Sequence, residues 1–86
     1  MQEFVVYVLY SKKFDKIYIG YTSNLRQRFL SHNFLSNKGY TKKYRPWLVV
    51  FIKVFSHKKQ AMIFEKCLKS GKGREYIHTK ILPLYK

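Results

Sequence analysis

The chain has 86 residues, which sets the scale of one small domain, 1–86, with a modest core. Eighteen Lys and Arg stand against four Asp and Glu, a net charge of +14, yet 47% of the residues are hydrophobic, including eight Tyr, seven Phe and one Trp. Such a composition excludes a disordered chain and calls for a polyanionic partner, nucleic acid or an anionic surface. The longest apolar runs, residues 4–10 and 47–52, fall far short of the ~20 residues of a membrane helix, so no membrane partner is expected. Met1-Gln2-Glu3 offers no basic leader and the single Cys67 excludes an internal disulfide, which together fit a cytoplasmic location. Cys67 itself reads as a small apolar core residue.

In chain order, residues 4–10 are β-branched and aromatic and predict a strand. A short polar stretch, 11–15, leads to Lys16-Ile17-Tyr18-Ile19-Gly20, whose alternation predicts a second strand paired antiparallel with the first. A turn near Lys12-Lys13 would set Tyr7 opposite Tyr18. Thr22-Ser23-Asn24 carries helix-capping chemistry, and residues 25–32 show a helical pattern with Leu25 and Phe29 on one side. Residues 33–45 read as a basic loop around Gly39. After Pro46, residues 47–52 form an almost continuous apolar run that suits a central, buried strand. Ser56 is placed to cap a long helix over about 57–70, ended by Gly71 and Gly73, and 76–82 predicts a short last helix before Pro83. The expected architecture is α+β, a three-stranded antiparallel sheet flanked by helices in the order β-β-α-β-α-α.

Two helices carry polar groups of chemical interest. Arg28 and His32, four residues apart, project from one side of the first helix, away from Leu25 and Phe29. Glu65 falls on the apolar stripe of the long helix, three residues from Met62 and Leu68 and four from Ala61. A carboxylate there requires a cation, either Arg or Lys or a divalent metal. Taken singly, each of these residues has an ordinary structural explanation; their order along the chain does not.

In that order the sequence resembles the GIY-YIG nuclease superfamily, in particular small stand-alone domains related to the nuclease module of the excinuclease C subunit. Val5-Val6-Tyr7 occupies the place of the first motif and Tyr18-Ile19-Gly20 matches the second. The stretch 21–33 resembles the segment with the family's Arg and, four residues on, its His. Lys38-Gly39-Tyr40-Thr41 resembles a loop supplying a third tyrosine, Phe64-Glu65-Lys66 the helix with the metal-binding Glu, and 69–74 a stretch common in stand-alone members. Two departures stand out: Val5 replaces the first motif's glycine, and no Asn follows Asn37 where many family nucleases have one.

The resemblance implies phosphodiester hydrolysis with Tyr7, Tyr18, Arg28, His32 and Glu65 as catalytic residues. One Mg²⁺ or Mn²⁺ would sit on Glu65, an ion that suits a single carboxylate because it keeps waters and takes substrate phosphate. Glu3, Asp15 and Glu75 supply no second cluster for a two-metal site. Arg28 would clamp the phosphate, Tyr7 or Tyr18 would take the water's proton with its pKa lowered by neighbouring cations, and His32 would orient or relay. Tyr40, Lys42, Lys43, Arg45, Lys69, Lys72 and Arg74 form the candidate nucleic-acid surface, aromatics stacking on bases and cations binding backbone. DNA is the expected partner, RNA a further possibility, and a protein partner could supply substrate grip. The alternative of a different class is a non-catalytic nucleic-acid-binding module on the same fold. A zinc site from His32, His57, Cys67 and His78 lacks ligand-pair spacing.

Overall fold

The computed structural model describes residues 3–30 and 39–85. Strands β1 (Phe4–Ser11), β2 (Lys16–Thr22) and β3 (Leu48–Phe55) form one antiparallel sheet in the order β2-β1-β3. Helices α1 (Leu25–Leu30) and α2 (Gly39–Lys43) lie between β2 and β3, and α3 (Lys58–Lys69) and α4 (Gly71–Tyr76) follow β3. The chain ends in a widened turn over Ile77–Ile81 and a tight one over Leu82–Leu84.

The central strand is β1. It is buried from Val6 to Ser11, and its alternating side chains supply both cores. Val6, Val8 and Tyr10 join Ile17, Ile19, Val50, Ala61, Leu68, Ile77, Ile81 and Leu82 in an aliphatic core under α3 and the C-terminal turns. Tyr7 and Leu9 point the other way, into an aromatic layer with Trp47, flanked by Tyr18, Leu25, Phe29 and Tyr44. Residues 47–52 therefore do not make the central strand expected of them. They belong largely to the edge strand β3, where Leu48 and Ile52 are about half exposed. A continuous apolar run marks burial on both faces only when other elements cover both, and on β3 only Val50 is buried. The pairing of β1 with β3 also slips at Val8/Leu9, where Val8 faces Phe51 and Leu9 faces Val49. The extra residue, Val50, is the bulge that turns into the aliphatic core.

The β1–β2 hairpin closes through Asp15, whose φ of 54° is left-handed, a conformation Asp tolerates better than most residues. The Tyr10 hydroxyl donates to Asp15 Oδ1 at 2.9 Å across that turn. The basic loop contains a short helix, α2, which the sequence pattern did not reveal. It is tied down by the Trp47 indole N–H, which donates to the Thr41 carbonyl at 2.8 Å.

On α3, Ala61 and Leu68 are buried and Phe64 packs against the core as expected, but Met62 and Cys67 are exposed. Ser56 does not cap this helix; His57 occupies the cap position and makes no side-chain bond there. The glycines after α3 do not serve as left-handed stops either, since no glycine has positive φ. Ser70 breaks the helix instead. Its Oγ donates to the Cys67 carbonyl at 2.5 Å and accepts from the Gly73 N–H at 3.3 Å, so the end of α3 becomes the cap of α4. Gly73 is there because a Cβ would come within 2.5 Å of the Leu68 backbone.

Candidate active site at the open edge of β2

Tyr7 stands in mid-β1 with its ring in the aromatic layer, only 2% exposed. Its Cα partner across the ladder is Gly20, and a Cβ built on Gly20 would sit 2.6 Å from Tyr7 Oη and 3.3 Å from Tyr18 Cε2. The phenol thus lies against bare backbone. Any side chain at residue 20 would displace one tyrosine or both. Tyr18 pairs with Leu9 rather than with Tyr7, which corrects the expected register by two residues and keeps the face unchanged. The two tyrosines are diagonal neighbours with ring centroids 6.3 Å apart and planes 29° from parallel.

Arg28 comes from α1, whose start is fixed as the capping residues predicted. The Gln27 N–H donates to Asn24 Oδ1 at 3.1 Å, and the Asn24 N–H donates to Thr22 Oγ1 at 3.0 Å. One turn on, the Arg28 N–H bonds the Asn24 carbonyl at 3.1 Å. With Leu25 and Phe29 packed on the aromatic layer, Arg28 is left on the side that faces β2's end. Glu65 comes from α3 on the far side of β2. Its side chain is 19% exposed and Lys69, one turn along, approaches it at 3.6 Å.

Tyr18 neighbours the Tyr7 ring, and Arg28 and Glu65, from two further elements, lie near enough to act on its phenol electrostatically. Burial drives the Tyr7 pKa well above the usual tyrosine value, Tyr18 and Glu65 push the same way, and Arg28 pulls it back only in part. The expectation that neighbouring cations lower the pKa holds for the direction of Arg28's effect alone; desolvation outweighs it. At neutral pH Tyr7 is therefore a neutral phenol.

Beside Tyr18 the edge of β2 opens into a groove of about 470 Å³ lined by Ile17, Tyr18, Ile19, Tyr40, Lys69 and Arg74. The Tyr40 hydroxyl donates to the Ile17 carbonyl at 2.9 Å, and its ring lies 6.3 Å from Tyr18 and 6.0 Å from Trp47. The Arg74 Nε–H donates to the Lys69 carbonyl at 3.1 Å, which holds the guanidinium at the groove. Of the expected nucleic-acid residues the structure gathers Tyr40, Lys69 and Arg74 here. Lys42 and Lys43 lie on α2, Lys43 over the Tyr44 ring at 5.5 Å, and Arg45 follows, partly buried. Lys72 lines a different cleft, on the β3 side. His32 lies outside the described residues.

Among the described residues no three His, Cys, Asp or Glu gather into a metal cluster. Among the described residues Glu65 is the carboxylate that acts on Tyr7, so it fits an ion that takes most of its shell from water and phosphate, as Mg²⁺ does, and does not fit an all-protein cage. The second motif's Gly20 takes its physical reason from its fit against Tyr7, and Lys58 at the start of α3 shares a pocket with Arg28.

The GIY-YIG catalytic domain model matches residues 3–77. UPF0213 protein SH2523 of Staphylococcus haemolyticus is 37% identical over 62 residues, covering 72% of this chain and 74% of that protein. UPF0213 protein YazA of Bacillus subtilis is 39% identical over 66 residues, covering 73% and 67% respectively. The solution NMR structure of UPF0213 protein BH0048 from Bacillus halodurans superposes with a TM-score of 0.54 at 28% identity, over 90% of this chain and 83% of that one. The match spans both tyrosine motifs, Arg28 and Glu65, and with them the whole sheet: the chain belongs to the GIY-YIG nuclease family.

Proposed function

We propose that this chain is a metal-dependent DNA endonuclease domain that hydrolyses phosphodiester bonds, acting in repair or in processing of branched DNA. The observation that supports the reading is a buried Tyr7 phenol beside Tyr18, within electrostatic reach of Arg28 and Glu65 and next to a cationic groove. A fold needs no such arrangement, because three of the four are polar side chains drawn from separate helices and an edge strand.

In this reading a water oxygen attacks phosphorus, the P–O3′ bond breaks, and the products are a 5′-phosphate and a 3′-hydroxyl. Glu65 would hold Mg²⁺ or Mn²⁺, which would supply Lewis-acid polarisation of the phosphate. Arg28 binds the non-bridging oxygens, whose charge grows in the transition state. Tyr7 and Tyr18 hold the attacking water. Because burial keeps Tyr7 neutral, it accepts the water's proton only while giving up its own, and His32 is the proposed recipient. Lys69, 3.6 Å from Glu65, is placed to hold that carboxylate and to reach phosphate at the groove.

The test incubates the purified protein with Mg²⁺ or Mn²⁺ and with single-stranded, duplex and branched DNA, and with RNA as a comparison. Cleavage that disappears in Glu65→Gln and in Arg28→Ala, with both variants still folded, supports the reading. Intact DNA under every condition, bound equally by wild type and Glu65→Gln, would overturn it in favour of a binding module without catalysis.

A further inference from the structure

Two cationic pockets lie at opposite ends of β2. At its start is the Lys69–Arg74 groove, against Ile17, Tyr18 and Ile19. At its end Arg28 and Lys58 share a second pocket of about 360 Å³ with Phe4, Tyr21, Thr22 and Ser23. The pairings fix the direction of α3: Lys58, in its first turn, lies by residues 21–23, and Lys69, its last residue, lies by residues 17–19. The helix therefore runs antiparallel to β2, packed on the face of the sheet with its ends at the two pockets.

Two independent rulers give the separation. From Lys58 to Lys69 is eleven helical steps, about 16 Å at 1.5 Å per residue. From Ile17 to Thr22 is five strand steps, again about 16 Å at 3.3 Å per residue. Glu65 lies between, four residues from Lys69 and seven from Lys58, or about 6 and 10 Å along the helix. A stacked nucleic-acid strand advances ~3.4 Å per nucleotide, so the interval holds about five nucleotides, fewer if the strand is extended.

We propose that the open edge of β2 is a track for one DNA backbone, gripped by Lys69 and Arg74 on one side of the scissile phosphate and by Lys58, beside Arg28, on the other. The position of the scissile phosphate rests on the function proposed above; the track itself does not. Both grips are cationic and neither presents a carboxylate other than Glu65. Each touches backbone without reading sequence, so the track measures strand length and path and leaves base identity unread. Lys58 gains a purpose that a solvated charge in the first turn of a helix would lack, since a cation there opposes the macrodipole.

Two measurements test the track. The first uses Glu65→Gln protein in EDTA, with binding to a labelled oligonucleotide followed against salt. Lys58→Ala and Arg74→Ala, both at exposed positions, should each flatten the slope of log affinity against log salt by about 0.7 to 0.9, and the double variant by about twice that. Lys53→Ala, over Phe55 on the other edge, should leave the slope unchanged. Equal slopes for Lys58→Ala, Arg74→Ala and the parent protein overturn the proposal. The second uses wild-type protein on DNA carrying one neutral methylphosphonate at successive positions. Interference should fall on both sides of the cut, with Lys58→Ala insensitive to substitution on one side and Arg74→Ala to substitution on the other. Insensitivity of both variants on the same side also overturns the track. Absence of cleavage with intact slope changes rejects the nuclease reading and leaves the track standing.

Discussion

The two edges of the sheet differ in a way that separates packing from chemistry. The edge of β3 borders the larger cavity, about 730 Å³, lined by Phe51, Ile52, Phe64, Leu68 and Tyr76 with Lys53 and Lys72 among them. The edge of β2 borders a smaller groove of about 470 Å³ that holds two cations and two tyrosines, with Glu65 one turn from Lys69. Volume and apolar lining favour the first edge. Convergent charge, a buried phenol and a glycine cut to fit it favour the second, and those are the features that chemistry needs.

The contrast can be broken most directly at Arg28. Arg28→Ala should lower the cleavage rate by about 10²- to 10³-fold, roughly 3–4 kcal/mol of transition-state stabilisation, with the thermal midpoint almost unmoved, as read by single-turnover kinetics and melting. Leu68→Ala should do the opposite: a loss of about 2–4 kcal/mol in denaturant unfolding from a side chain buried in the aliphatic core, and no change in rate per folded molecule. Gly20→Ala should fall between, costing about 1–3 kcal/mol of stability as the added methyl meets the Tyr7 phenol, and slowing cleavage more than that loss of folded protein explains.

A smaller effect is expected with pH. The Tyr7, Tyr10 and Tyr40 pKa values are raised in the fold, chiefly by burial in each case. The native state therefore holds protons that the unfolded chain releases near pH 10, so the stabilisation is complete below that pH and is lost as pH climbs through the folded values. Stability measured from pH 9 upward should fall, and Tyr7→Phe should make the fall shallower. Smallest of all, Ile52→Thr on the β3 edge, where the side chain is 51% exposed, should shift stability by no more than ~0.5 kcal/mol and leave cleavage at the wild-type rate. A slower enzyme from that substitution would mean the β3 cleft belongs to the site after all.

Much of this was legible in the residues, for identifiable reasons. The hairpin, the Asn24 cap and the buried face of α3 at Ala61 and Leu68 follow from local rules, namely alternation, capping oxygens and helical spacing. Glu65 was conspicuous because acids are scarce here. The order of the strands was not legible. Residues 4–10 and 47–52 are equally apolar, and only long-range pairing decides which of them takes the middle. Helix α2 was hidden because its anchors are the indole bond to Thr41 and the Tyr40 hydroxyl bond to Ile17 rather than an apolar stripe. The direction of Tyr7's pKa escaped too, since the cations are visible in sequence and the depth of the ring is not. Lys58 is legible in the residues as one cation of a broad basic surface, but its place beside Arg28 depends on the packing of α3 on the sheet.

The joint between α3 and α4 carries a consequence for how this scaffold can change. Ser70 redirects the chain, and Gly73 lets the new helix press its first turn onto Leu68 at a separation no side chain would permit. Arg74 leaves that turn and hooks back to the Lys69 carbonyl. The reach of a guanidinium is thus calibrated by an empty position next to it. Drift in the neighbouring lysines would merely retune attraction for a polyanion, whereas a methyl group at residue 73 would move the whole lever to which the guanidinium is attached.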